Sequence, residues 1–138
     1  MRKNKVTLFF ILSLTFFLYA MGSSNNLIVE KIPQPDREFQ VKLSDVDGNI
    51  INVTSFSIDG ITYLPVRLGK ANLSLDFAKI KKILFYVQNN QIKVRVFFKD
   101  GSNTLFDLQK DLSFVGKTRF GNLKIKAKYV KEIDFRIK

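Results

Sequence analysis

Two strings in this 138-residue chain have residue types and spacing that could do chemistry. Gly116-Lys117-Thr118 matches the end of a phosphate-binding loop, whose backbone amides and lysine cradle phosphates. That loop needs a second glycine five residues earlier, where this chain has Asp111. Asp45-Val46-Asp47-Gly48-Asn49 has the opening rhythm of a calcium loop. A calcium loop wants glycine sixth and glutamate twelfth; here those positions are Ile50 and Phe56, and a hairpin turn explains the string better. Asp59, Asp76, Asp107 and Asp111 could act as an acid/base pair if folding brought two together, yet no spacing in the chain demands it.

Composition narrows the field further. The chain has no Cys, no His and no Trp. Thiol chemistry, disulfides, a near-neutral proton shuttle and the usual zinc or haem ligand sets are therefore excluded. No cofactor is expected, and the protein is expected not to be an enzyme, with an enzyme of unknown type kept as an alternative. Lys+Arg number 23 against 12 Asp+Glu, a net charge of +11. The excess is concentrated late: Lys117, Arg119, Lys124, Lys126, Lys128, Lys131, Arg136 and Lys138 face only Glu132 and Asp134. On a strand from Leu123 to Ala127, Lys124 and Lys126 share one face while Leu123 and Ile125 take the other. Two roles fit this strip, which with Lys117, Arg119 and Lys128 forms the first candidate surface. It could guard a sheet edge against aggregation, or it could meet an anionic lipid, an envelope polysaccharide or an acidic protein.

A second candidate surface follows from strand register. A two-residue turn at Asn89-Asn90 sets Val87 opposite Ile92, Phe85 opposite Val94 and Ile83 opposite Val96, all inward. Lys82, Leu84, Tyr86, Lys93, Arg95 and Phe97 then share the other face, with Tyr86 beside Lys93 and Leu84 beside Arg95. Cations mixed with aromatic and aliphatic side chains are the composition of a recognition surface. Cover by another strand or by the Pro33–Pro35 segment is the competing expectation.

The elements that position these residues are strands. Phe39, Val41 and Leu43 alternate with Gln40 and Lys42, and Ile133, Phe135 and Ile137 with Glu132, Asp134 and Arg136. Asp47-Gly48, Asp59-Gly60, Asn89-Asn90 and Asp100-Gly101 punctuate the runs with residues that accept positive φ. Ile51 and Val53 fall on one parity and Phe56 and Ile58 on the other, which predicts a β-bulge near Thr54-Ser55. The first 22 residues are read as a signal peptide: Arg2, Lys3 and Lys5 precede the apolar run Val6–Met21, and Ala20-Met21-Gly22 supplies a cleavage site before Ser23. The run is short of the ~20 residues a spanning helix needs, so cleavage is favoured over a retained inner-membrane anchor at residues 6–21. Residues 23–37 read as a flexible lead-in with a short edge strand at Leu27–Lys31, and residues 38–138 as a single β-domain.

That domain contains an internal repeat. Asn72-Leu73-Ser74-Leu75 followed by Ile80-Lys81-Lys82-Ile83-Leu84-Phe85 recurs fifty residues on as Asn122-Leu123-Lys124-Ile125 and Val130-Lys131-Glu132-Ile133-Asp134-Phe135. Val41-Lys42-Leu43 with Asp47-Gly48 matches Val94-Arg95-Val96 with Asp100-Gly101 at an offset of 53. Residues 39–85 and 92–135 are thus expected to be two related four-strand halves. The expected fold is all-β, an antiparallel sandwich or small barrel of about eight strands, its halves closing face to face over Ile83, Ile133, Phe85 and Phe135.

The stretch Gly116-Lys117-Thr118-Arg119-Phe120-Gly121-Asn122-Leu123-Lys124-Ile125, followed by Val130, Ile133 and Phe135, resembles a pattern of small uncharacterised exported bacterial β-domains. The likeness covers about the last 45 residues and implies fold and export, with no catalytic residue. Phe39 to Phe56 also resembles the opening hairpin of thioredoxin-like exported proteins, whose reactive cysteines are absent here. Together these features predict a non-enzymatic, exported (periplasmic or secreted) binding or structural module of the bacterial cell envelope. Its expected partner is an envelope protein or an anionic polymer or lipid surface, and no nucleic acid is expected. The alternative is a membrane-tethered domain whose N-terminus is uncleaved and whose basic face contacts anionic lipid or polysaccharide.

Overall fold

Alternating apolar residues between positive-φ turns give a chain of hairpins. The computed structural model describes residues 28–136. The signal segment, Leu27, Ile137 and Lys138 lie outside the described residues. The strands are β1 (Val41–Asp45), β2 (Ile50–Ser57), β3 (Tyr63–Leu68), β4 (Ala71–Asp76), β5 (Ile80–Gln88), β6 (Gln91–Phe98), β7 (Asn103–Leu108), β8 (Ser113–Thr118), β9 (Gly121–Lys126) and β10 (Val130–Asp134). Single 3-10 turns at Phe77–Lys79 and Ala127–Tyr129 link β4 to β5 and β9 to β10.

All neighbouring strands are antiparallel, in one sheet of order β4-β3-β7-β6-β5-β10-β1-β2-β8-β9. The all-β expectation holds, with two differences. There are ten strands in place of about eight, because β3 and β8 add one strand to each of the expected four-strand halves. There is also one continuous open sheet in place of the two sheets of a sandwich or the closed sheet of a barrel. The sheet turns its apolar face in on itself: Phe85 on β5 meets Phe114 on β8 edge-on at 5.8 Å, although three strands separate them in the order. Phe56 stacks between Phe77 (5.7 Å) and Phe114 (5.3 Å) at the centre of that enclosed core. Ile83 and Ile133 are fully buried. Phe85 is buried too, whereas Phe135 is only half-buried, packed on Phe39, Phe56 and Phe77.

The strand order is symmetric. Exchanging β1–β5 for β6–β10 reverses it into itself, and the two sets interlace: the β3–β4 hairpin joins β7, and the β8–β9 hairpin joins β2. Backbone hydrogen bonds recur with the same offsets as the sequence. Phe77 donates to the Thr62 carbonyl and Ala127 to that of Leu112; Gly48 donates to Asp45 and Gly101 to Phe98.

The expected bulge is present. The β2–β8 register breaks between Thr54 and Ser57, and Ser55 sits at φ 50°. Glu38 holds this strained residue, accepting from the Ser55 amide at 2.7 Å and its hydroxyl at 2.8 Å. Of the lead-in, residues 28–31 form no strand, and its last residues are anchored to the domain. Arg37 donates through Nε and Nη2 to Thr62, pairs with Asp76 at 2.8 Å, and lies over the rings of Phe39 and Tyr63. Thr62 in turn donates to Asp36.

Candidate interaction surface

The β5–β6 hairpin positions the first group of residues. Asn89 (φ 49°) and Asn90 (φ 65°) form the two-residue turn, and the pairs Val87–Ile92, Phe85–Val94, Ile83–Val96, Tyr86–Lys93 and Leu84–Arg95 all occur as expected. One inward assignment is corrected. Val87 is 49% exposed, because it lies beyond the reach of β10, whose pairing with β5 covers Leu84, Ile83 and Lys82.

On the outer face, Lys82 Nζ lies 4.9 Å from the Phe97 ring centroid, and Arg95 Nη1 donates to Asn103 Oδ1 at 2.8 Å. The neighbouring strand β7 adds Leu105, and a depression of ≈ 340 Å³ is lined by Tyr86, Gln88, Lys93, Arg95 and Leu105. Tyr86 is 43% exposed; Leu84 and Phe97 are half-buried among their neighbours. The face is not uniformly basic. Asp107 stands 3.9 Å from Lys93, and β10 sets Glu132 opposite Leu84 and Asp134 opposite Lys82. The Arg136 guanidinium, donating to Asp134 at 2.7 and 2.9 Å, holds that carboxyl below the ordinary range.

The basic strip is elsewhere. Lys124 and Lys126 are exposed on β9, which is a terminal strand of the sheet, while Leu123 and Ile125 turn toward the core. Lys117, Arg119 and Lys128 are exposed as well, and Lys128 Nζ lies over the Tyr129 ring. Strands β10, β1 and β2 stand between β8–β9 and the β5–β6 face, so the fold keeps Lys117, Arg119, Lys124 and Lys126 apart from the second group.

The chemistry-like strings acquire structural roles. Asp45 Oδ1 accepts from the amides of Asp47 and Asn49 at 2.9 Å, and Oδ2 accepts from Asn49 Nδ2 at 3.0 Å. These bonds, the Asn49 side chain's first, hold the Asp45 pKa down and close the β1–β2 turn. Gly116 is buried where β8 crosses the bulge in β2; a Cβ there would overlap Val53 Cγ1 and stand 2.9 Å from the Thr54 carbonyl oxygen. No group of three metal-ligating side chains gathers among the described residues. Asp76 is committed to the Ala78 amide and to Arg37, which lower its pKa.

Folding also brings together groups far apart in the sequence. A cleft of ≈ 560 Å³ opens beside both sheet edges, with Ser74 of β4 and Lys124 of β9 in its lining. Asp59, Ile61 and Tyr63 line it together with Gln109, Asp111 and Ser113, which follow them by fifty residues. The repeat spacing is the only sequence signal that could have placed these groups together. No helix among the described residues is long and apolar enough to cross a membrane.

Fold and surface together define an all-β protein built of interlaced hairpins, presenting exposed faces of mixed charge and apolarity. The chain belongs to a family described as "Uncharacterised protein", whose model matches residues 35–138. It is also similar to an uncharacterized protein of Aquifex aeolicus (strain VF5), 24% identical over 127 residues, 91% of this chain and 92% of that one. No solved structure matches.

Proposed function

We propose that the protein is an exported, non-enzymatic binding or structural module of the bacterial cell envelope, whose partner is an envelope protein or an anionic polymer or lipid surface. The observation that carries this reading is the outer face of β5, β6 and β7. There Leu84, Tyr86, Phe97 and Leu105 alternate with Lys82, Lys93 and Arg95 on strands paired β5 to β6 and β6 to β7. Such a face loses little conformational entropy on binding, since the strands that carry it are already fixed. The charged start, apolar run and small-residue site of residues 1–22 support export. The domain is proposed to be a tandem duplication, a reading supported by the symmetric strand order and by hydrogen bonds that recur at offsets of 50 and 53.

The test is charge reversal at Lys93 and Arg95 in the expressed full chain. Unchanged melting with loss of retention in the envelope fraction is the expected result. Retention equal to wild type removes the face from the function. A mature mass beginning at Ser23 is expected for the cleaved form. The second reading keeps residues 1–22 as a tether; Asn122 on β9 donates to the Glu30 carbonyl at 2.9 Å, so the chain eight residues past that segment lies against β9.

A further inference from the structure

The β8–β9 hairpin ends in Arg119, a member of the basic strip, and Phe120, which none of the roles above employ. Arg119 and Phe120 form its turn, the Phe120 ring is 79% exposed, and the Arg119 guanidinium lies over it at 4.6 Å. The turn is pinned: the Phe120 amide donates to Thr118 Oγ1 at 3.0 Å, and that hydroxyl donates to the Gly121 carbonyl at 2.8 Å. Beside it Ile50, at the start of β2, is 61% exposed. Ile50 and Phe120 border a shallow depression of ≈ 420 Å³ that also includes Lys117, Arg119 and Asn52 and has no acidic residue in its lining. A lone exposed apolar side chain means nothing. A phenylalanine held on a rigid turn, a second apolar group and two cations with no carboxylate in the described lining are the ingredients of an interfacial membrane contact.

The position of the N-terminal segment is independent of that composition. Asn122, next to the turn, holds Glu30, and Ile28 two residues earlier is 71% exposed. Met21, the last residue of the apolar run, precedes Ile28 by seven residues, a reach of at most about 25 Å of extended chain. A bilayer that keeps Val6–Met21 as a tether therefore lies within that length of chain from Ile28, on the side of the domain where Asn122 and the Arg119–Phe120 turn stand.

We propose that this turn docks on a bilayer containing anionic lipid. Phe120 and Ile50 enter the boundary between headgroups and acyl chains, while Lys117 and Arg119 face lipid phosphates. The proposal rests on the envelope location proposed above, which fractionation of cells reads separately. Recovery of the full chain from soluble cytoplasm would sink the location whatever vesicles show.

The absence of Trp from the chain supplies the experiment. Phe120→Trp, and Tyr86→Trp as a control on the outer face, are placed in the full chain and mixed with vesicles of phosphatidylcholine, with or without phosphatidylglycerol. Brominated acyl chains report depth. The indole at position 120 is expected to shift to the blue and be quenched on anionic vesicles, and the indole at position 86 to remain as in water. Adding Lys117→Gln and Arg119→Gln should weaken the anionic dependence about fivefold each, the effect of ~1 kcal/mol per cation. An unshifted indole at position 120 in chains that float with the vesicles overturns the proposal, as does failure of the chain to float. So does equal quenching at both positions, which is plain adsorption. A shift produced by envelope protein extract but not by lipid assigns the turn to a protein partner and overturns it as well.

Discussion

Replacing Gly116 by alanine inserts a methyl group where β8 leaves no room for one. The new carbon would overlap Val53 Cγ1 and lie 2.9 Å from the Thr54 carbonyl oxygen. Val53 is buried against β1, and Thr54 belongs to the bulged segment whose next residue, Ser55, is held at φ 50° by Glu38. Neither neighbour can move without disturbing paired backbone. Overpacking usually costs about 1–3 kcal/mol, and an immovable backbone oxygen puts this site near the upper end, about 3 kcal/mol. For a domain of this size that is a fall in Tm of about 12 °C or more. Urea and thermal unfolding followed by circular dichroism would measure it. Val53→Ala alone should cost about 2 kcal/mol, and the double variant should be less damaged than the sum by about 1 kcal/mol, since one of the two clashes is removed. A Gly116→Ala protein within 0.5 kcal/mol of wild type, or strict additivity with Val53→Ala, would refute the account of this crossing.

Arg37→Lys should lower stability by about 1–2 kcal/mol, since a point charge replaces a planar fork that reaches Thr62 and Asp76 together and lies over two rings; an unchanged urea midpoint would remove this pin from the fold. Asp45, Asp76, Asp100 and Asp134 all have folded pKa values below the ordinary carboxylate value. Their contribution is therefore complete above the unfolded value of about 3.9 and lost as pH falls through the lower folded values. With no His in the chain, the melting temperature should be level from about pH 8 to 5 and drop below about pH 4. A step near pH 6, or constancy down to pH 2, would contradict this assignment.

Much of the local structure was legible because short-range geometry fixes it. The Asn89-Asn90 turn sets the β5–β6 register, and once it is placed every partner from Gln88 to Ile83 follows. The bulge at Ser55 could be read because parity along a strand is strict: Val53 and Phe56 cannot both face inward without an extra residue. Strands β3 and β8 were hidden for opposite reasons. Pro65 interrupts β3 and argues against a paired strand; it is accommodated because β3 meets β7 only at Val66 and Arg67. In β8, Phe114, Val115 and Gly116 run together without alternation, since all three are buried.

What the sequence withheld is long-range. The Arg37–Thr62–Asp36 network joins residues 25 or 26 apart, and nothing in the string Pro33–Glu38 hints at its partners. Among the candidate surfaces, the six residues of the β5–β6 face could be grouped from one turn. Leu105 and Asn103 could not, because they arrive on a third strand. The same holds for Ile50 and Phe120, which line one depression from the start of β2 and the tip of a hairpin seventy residues away.

The interlacing of the hairpins bears on the order of events in the life of the chain. β1 and β2, made first, find their outer partners in β10 and β8, which emerge near the end. A ribosome that has delivered only the first half has delivered edges with nothing to close them, and no half can mature on its own. Assembly must wait for nearly the whole polypeptide, so a C-terminal truncation of even one strand leaves the oldest hairpin without its neighbour. A chain that stays open until its last residues arrive is also one that can be threaded through a narrow channel before it commits to a shape.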